Sequence, residues 1–172
     1  MEEADMKEQQ QEKELVNDFK LAMRRLTSTI SLITTRHLGQ PFGMAATAVQ
    51  SVTADPATIL VCVNRSASIS TALEVSGRFA VNMLHLSHVD LVPIFSGQLK
   101  GQERFEHGQW VEEHGVPVLA DAQAALVCEV CEVATIGSHD VIFGRVLWVD
   151  TRPDISPLLY EDGRFARSAA IK

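Results

Sequence analysis

The sequence predicts a mainly β domain in which an antiparallel sheet closes on itself as a small barrel, with helices at its periphery. Three observations lead there. Segments rich in β-branched and apolar residues recur from residue 29 onward. The stretches between them carry Gly, Pro, Asp or Ser, the residues of turns. Only two short helical candidates interrupt the strands, so the regular strand and helix alternation of a parallel sheet is absent.

With 172 residues the chain suits one domain, long enough to bury about two-thirds of the surface that its unfolded form exposes. Residues 1–14, "MEEADMKEQQQEKE", have little to bury and read as a tail, disordered or helical. The domain proper takes residues 15–172. Leu15, Val16, Phe19, Ala22, Met23 and Leu26 recur at helical spacing, which predicts one amphipathic helix. At least five strands follow: "TISLITT" (29–35), "TILVCVN" (58–64), "FAVNML" (79–84), "AALVCEVCEVATI" (124–136) and "VIFGRVLWVD" (141–150).

The helical candidates fall near residues 67–75 and 88–95. Thr71 with Glu74, and Ser87 with Asp90, have the spacing of capping boxes. Pro93 is expected to limit the second helix, because beyond the first turn a proline removes a backbone donor. Residues 97–115, polar and punctuated by glycine, read as one long irregular loop of the kind that often carries function.

Charge narrows the function. With 15 Lys and Arg against 22 Asp and Glu the net charge is −7, and no basic stripe is interleaved with aromatics, so nucleic acid is not an expected partner. The N-terminus has no basic region leading into an apolar one, and no 18-residue apolar run occurs, so the expectation is a cytoplasmic protein without a membrane span. Three cysteines, Cys62, Cys128 and Cys131, make a disulfide framework improbable. "CEVC" at 128–131 has no second pair and no metal-site spacing around it, and a three-residue step along a strand turns its thiols to opposite faces. Buried free thiols are expected, and no metal.

The glycine-rich dinucleotide fingerprint, the P-loop, the zincin helix and the nucleophile elbow are all missing. Three subtler candidates remain. Ala45, Ala46, Thr47 and Ala48 offer a backbone that a planar ligand can approach, with N–H and C=O groups for a polar heterocycle edge; a tightly packed strand pair explains them equally. "NRSASIS" (64–70) ends a strand and opens a helix, so Ser66 and Ser68 with Arg65 could seat a phosphate, or simply cap that helix. His139, in "IGSHD", sits on a turn, where a lone histidine is ordinarily a surface residue.

"GMAATAVQSVTADPATILVCVNRSAS" (43–68), "FAVNML", "RF" at Arg104 and Phe105, "GSHDVIFGRV" (137–146) and "PLLYEDGRF" (157–165) occur in an order that closely resembles the flavin reductase domain family. These are reductase components of two-component flavin-dependent monooxygenases, such as the reductase of 4-hydroxyphenylacetate 3-monooxygenase. The resemblance covers about residues 17–167. It implies a split β-barrel of the Greek-key, FMN-binding type that forms a homodimer, with FMN or FAD in a groove at the subunit interface. By the same resemblance, Ala46, Thr47 and Ala48 line the flavin ring, and Ser51 and Val52 follow the ribityl chain. Asn64, Arg65, Ser66 and Ser68 approach the phosphate, Asn82 and the stretch Phe95, Ser96 and Gly97 build the neighbouring wall, and Arg104 and Phe105 count among the cofactor-binding residues. His139 matches the family's catalytic-site histidine, with Ser138 before it where many members carry Asp.

The activity this implies is reduction of flavin by NADH or NADPH, with reduced flavin passed to a separate monooxygenase. His139 is expected to orient the nicotinamide rather than to donate a proton. Two other readings stay open at this point: a flavin-binding electron carrier without turnover, and a split-barrel enzyme acting on a pyridoxal-type phosphate or a corrinoid.

Overall fold

A computed structural model describes residues 2–171. Helix α1 (Glu2–Met23) precedes twelve strands, β1 (Ser28–Thr29), β2 (Ser31–His37), β3 (Gln40–Ala46), β4 (Val49–Ala54), β5 (Ala57–Asn64), β6 (Arg78–Met83), β7 (Trp110–Glu113), β8 (Val116–Leu119), β9 (Ala124–Ile136), β10 (His139–Thr151), β11 (Leu158–Glu161) and β12 (Arg164–Arg167). Helix α2 (Ile69–Ser76) joins β5 to β6. Seven strands form the main sheet in the order β3-β2-β6-β9-β10-β5-β4, every neighbouring pair antiparallel.

That order forces curvature. Its two edges, β3 and β4, are consecutive in the chain and separated only by Thr47 and Ala48. In a flat sheet, six strand spacings would put those edges about 29 Å apart, whereas two linking residues reach about 11 Å at most. The sheet therefore curls until its edges nearly meet. Side chains alternate accordingly. Ile33, Val61, Phe79 and Val81 point into the curl, while Leu32, Ala80 and Val127 pack outward against Leu84, Phe95, Val118 and Leu119.

Close packing inside the curl depends on Gly144. A Cβ there would lie 2.5 Å from the Phe79 ring and 2.8 Å from Cys128 Cβ. The β9–β10 hairpin turns on Gly137, at φ +57°, a value a two-residue hairpin loop requires and glycine adopts without strain. Between β6 and β7 a helical run holds a short 3-10 turn (Leu86–His88), α3 (Leu91–Pro93) and a wide turn (Ile94–Gln98). His88 Nδ1 accepts the His85 N–H at 3.2 Å, and its Nε2 stands 3.0 Å from Asp121. His85 Nε2 lies 3.2 Å from Asp154 in turn, so this run is tied to the segment leading into β11.

Several expectations need correction. The five segments named are all strands, and the seven strands beyond that minimum are short, interrupted by Gly or Pro, or rich in polar residues. Residues 97–115 are not one irregular loop: they contain a 3-10 helix (Gly101–Glu106) and β7. The chain runs helically through Pro93, which sits in a first turn where no N–H is needed. Neither expected capping box forms, since Thr71 lies inside α2 and it is His85, not Ser87, that caps the 3-10 turn. Of the thiols only Cys128 is buried; Cys62 is half-buried and Cys131 exposed, the latter on a bulge where β9 skips register against β10. Residues 2–14 join α1, the helical alternative for the tail, and its Leu15 and Phe19 remain 69% and 59% exposed instead of packing on the domain, as does Leu26 beyond its end at 63%. Among the described residues no helix is long and apolar enough to cross a membrane.

Candidate functional site

The near-meeting of the two sheet edges leaves a cleft of about 590 Å³, walled on one side by Met44, Ala45, Ala46, Thr47 and Ala48. Thr47 and Ala48 are exposed, and their main chain is underused. Ala48 C=O accepts the Cys62 N–H at 3.1 Å and Thr47 C=O accepts the Val49 N–H at 3.0 Å, but the N–H groups of Thr47 and Ala48 have no partner among the described residues. Two free donors beside small side chains suit a flat ligand with acceptors on its edge. Cys62, His139, Ile30, Val92, Pro93 and Ser96, with Tyr160 and Phe165, complete the lining.

His139 opens β10 directly opposite Asn64, the last residue of β5, so the turn residue and the strand end are brought together by register alone. Its Nδ1 lies 3.0 Å from Ser138 Oγ, which leaves Nε2 for a ligand. Arg65 is pinned beside it through its N–H to Ser138 C=O at 3.0 Å. Asn64 Oδ1 accepts from both the N–H and the hydroxyl of Ser66, at 2.9 and 2.7 Å, folding this segment into a tight turn. Ser68 stands at the start of α2 without its hydroxyl capping the helix.

Other expected site residues lie elsewhere. Asn82 does not reach the cleft: it is fully buried, donating to Leu32 C=O (3.0 Å) and Thr34 Oγ1 (3.1 Å) and accepting the Leu119 N–H (2.8 Å), which leaves nothing for a ligand. Phe95 is 2% exposed and packs edge-on against Phe105, with ring centres 5.4 Å apart and Trp110 alongside. Those rings fill the space behind Gly43, where a Cβ would meet Phe95 at 2.6 Å. Arg104 is likewise turned inward, donating to the carbonyls of Gly43 and Leu99. The wall these residues build is therefore a backing for β3, not a ligand surface. Of Phe95, Ser96 and Gly97 only Ser96 lines the cleft, Gly97 being an exposed turn at φ +119°. Ser51 and Val52 are exposed on the outer edge strand β4, beyond the cleft lining.

The residues missed are instructive. Tyr160 and Phe165 face each other across the β11–β12 hairpin, ring centres 6.2 Å apart, both exposed and both lining the cleft. Their signal was available: "YEDGRF" places two aromatics about an Asp-Gly turn, a hairpin pattern.

Comparison with known proteins fits this geometry. The family described as "Flavin reductase like domain" matches residues 23–169. The chain belongs to that family. This flavin reductase domain is 40% identical over 148 residues to the FMN reductase (NADH) RutF of Pseudomonas syringae, covering 86% of this chain and 83% of the relative. The corresponding FMN reductase (NADH) RutF of Variovorax paradoxus is 38% identical over 154 residues, 89% of this chain and 86% of the relative. Among solved structures, the flavin reductase PheA2 superposes with a TM-score of 0.82 at 30% identity, covering 90% of this chain and 98% of that one. Nitrilotriacetate monooxygenase component B from Mycobacterium thermoresistibile gives 0.85 at 27% identity, covering 92% and 89%. The fold of this flavin reductase domain is thus mainly β, as expected.

Proposed function

We propose that the protein is an NADH-dependent flavin reductase that takes FMN in the cleft at the β3–β4 crossing and passes reduced flavin to a monooxygenase. The observation that carries this reading is the wall from Ala46 to Ala48: small side chains and two unengaged N–H donors, in a chain of this family. The site fits the group. Its volume lies within the range of about 300–1,000 Å³ usual for ligand pockets, its walls are mainly apolar, and the polar turn from Asn64 to Ser68 lies just outside that lining, Asn64 being paired with His139, which belongs to it. FMN and NADH are preferred to FAD and NADPH because the relatives named above are FMN reductases using NADH.

A bound flavin supplies the acceptor for hydride from the nicotinamide C4. This chain's own work is placement. The main chain from Ala46 to Ala48 would hold a bound flavin, and the free N–H groups of Thr47 and Ala48 would donate to acceptors on its edge. The segment from Asn64 to Ser68 seats the phosphate, with Arg65 as the charged member. His139, its Nδ1 occupied by Ser138, would present Nε2 to orient the nicotinamide, and such positioning is what would make the reaction effectively unimolecular. Tyr160 and Phe165 shield the site from water.

A second copy of the chain completes the cleft. The apolar stripe of α1 and exposed Val133 (48%), Ile136 (68%) and Val149 (53%) on the β9–β10 hairpin are apolar surface that a monomer would leave in water. We assign these to a homodimer interface, and the enzyme to the cytoplasm, where NADH is supplied. The test is oxidation of NADH and of NADPH followed at 340 nm with FMN and with FAD. Turnover fastest with NADH and FMN supports the reading; flavin binding without nicotinamide oxidation refutes it in favour of an electron carrier.

A further inference from the structure

Behind the Tyr160–Phe165 side of the cleft lies a second hollow of about 570 Å³, lined by Arg24, Arg25 and Arg164 together with Phe165. Phe165 is shared with the main cleft. A groove also runs from Thr47 and Ala48 past Tyr160 to Arg24, with Lys20 on its bank. The hollow therefore adjoins the cleft, with the groove sharing residues with both. We propose that Arg24, Arg25 and Arg164 seat the diphosphate of the nicotinamide dinucleotide. The proposal rests on the reading of the cleft as the flavin and nicotinamide site, and it adds the place where the other half of the dinucleotide is held.

Four observations carry it. First, three arginines, Arg24, Arg25 and Arg164, line one hollow against two carboxylates, Glu161 and Asp162, with Lys20 on the adjoining groove, in a protein whose acidic residues outnumber its basic ones, 22 to 15. Second, they are unengaged, for among the described residues no carboxylate stands within 4.0 Å of Arg24, Arg25 or Arg164. Glu161 and Asp162 line the same hollow but form no ion pair with these arginines, and Glu161 accepts the Thr27 hydroxyl at 2.9 Å. Third, the two elements that bring the arginines together are tied by backbone: Asp162 N–H donates to Arg24 C=O at 3.0 Å. An Arg24 guanidinium nitrogen lies 3.9 Å from where a Cβ would stand on Gly163, whose φ of +79° keeps the hairpin tip bare.

Fourth, the number of phosphates demands two seats. A flavin mononucleotide has one phosphate, which the reading above gives to the Asn64–Ser68 segment beside His139, a segment that lines neither the hollow nor the groove. A dinucleotide stacked over the same ring must carry its diphosphate out of the cleft, and guanidinium forks hold such oxygens in pairs. The hollow behind Phe165 offers them.

The test is calorimetric titration of the whole protein with ADP-ribose, which carries the diphosphate without the nicotinamide, and separately with FMN. Wild type is compared with the Arg24→Gln/Arg164→Gln double variant, with Arg25→Gln as a second variant and Arg145→Gln, whose partner is Glu129, as control. Expected are a rise in the ADP-ribose Kd of about tenfold or more in the double variant, a smaller rise for Arg25→Gln, and an FMN Kd that holds in both. Wild-type ADP-ribose affinity should also fall with added salt. A loss of FMN affinity instead would show that the seat belongs to the flavin phosphate and overturn the proposal. So would an ADP-ribose affinity equal in wild type and variant, or no ADP-ribose binding at all. If ADP-ribose binding behaves as expected while NADH is never oxidised in the presence of FMN, the seat stands and the reductase reading falls.

Discussion

Replacing Gly43 by alanine probes how the core sets the cleft. A Cβ at this buried position of β3 would lie 2.6 and 2.9 Å from Phe95 and 3.2 Å from Phe105. Ordinary contact begins near 3.4 Å, so ring or strand must yield by about 0.8 Å. Phe95 is 2% exposed and braced by Phe105 and Trp110, and Gly43 C=O is held by Arg104, so neither side gives freely. Overpacking of this kind costs about 1–3 kcal/mol, a fall in Tm of about 2–12 °C for a chain of this size. Because Met44, Ala45 and Ala46 follow directly as cleft wall, part of the shift reaches the ligand, and FMN affinity should drop about tenfold or more. Gly144→Ala separates the two effects: its Cβ would meet Phe79 at 2.5 Å inside the curl, away from the cleft lining. Thermal melts and FMN fluorescence titrations should then show Tm lowered in both variants but FMN affinity lowered only in Gly43→Ala. Unchanged FMN affinity in Gly43→Ala, or an equal loss in both, would refute the idea that the aromatic cluster positions the cleft wall.

Asn82→Leu should lower Tm by about 2–12 °C, because the buried Leu119 N–H loses its acceptor at a cost of about 1–3 kcal/mol, with no change in FMN Kd; weakened FMN binding at unchanged Tm would return Asn82 to the ligand. His139→Ala should raise the KM for NADH and spare FMN binding in titrations, and loss of flavin binding with intact nicotinamide affinity would contradict the orienting role. Burial, and secondarily the nearby Cys131, pushes the Cys128 thiol from 9.0 up to about 12. Below pH 9 both folded and unfolded states keep that proton; between pH 9 and about 12 only the unfolded state loses it, so folding weakens as pH rises. Urea melts at pH 8 and pH 10.5 should show wild type losing more stability than Cys128→Ala, and an equal loss would contradict the shift.

What was legible in the sequence follows from range. The long strands β9 and β10 and the strands β2, β5 and β6 announce themselves because β-branched runs are local signals. The polar strand β4, lying at a sheet edge with most of its residues exposed, carries no such pattern. The site was legible where one segment supplies it, as with Ala46 to Ala48 and His139. It was misread where direction matters: Asn82, Phe95, Arg104 and Phe105 lie near the cleft in the chain's order of motifs, yet the alternation of β6 and the packing behind Gly43 turn them inward. Arg24 and Arg164 meet only through the hairpin that pairs β11 with β12, and no sequence spacing could bring them together.

The central claim is that the flavin ring lies against main chain from residue 46 to 48. Ala48→Phe tests it most directly, since Ala48 is exposed and a ring there fills the cleft without disturbing the core. Titrating FMN against the variant and following flavin fluorescence, the account predicts a Kd raised by about 100-fold or more with the melting temperature preserved. FMN bound by Ala48→Phe as tightly as by wild type would contradict it.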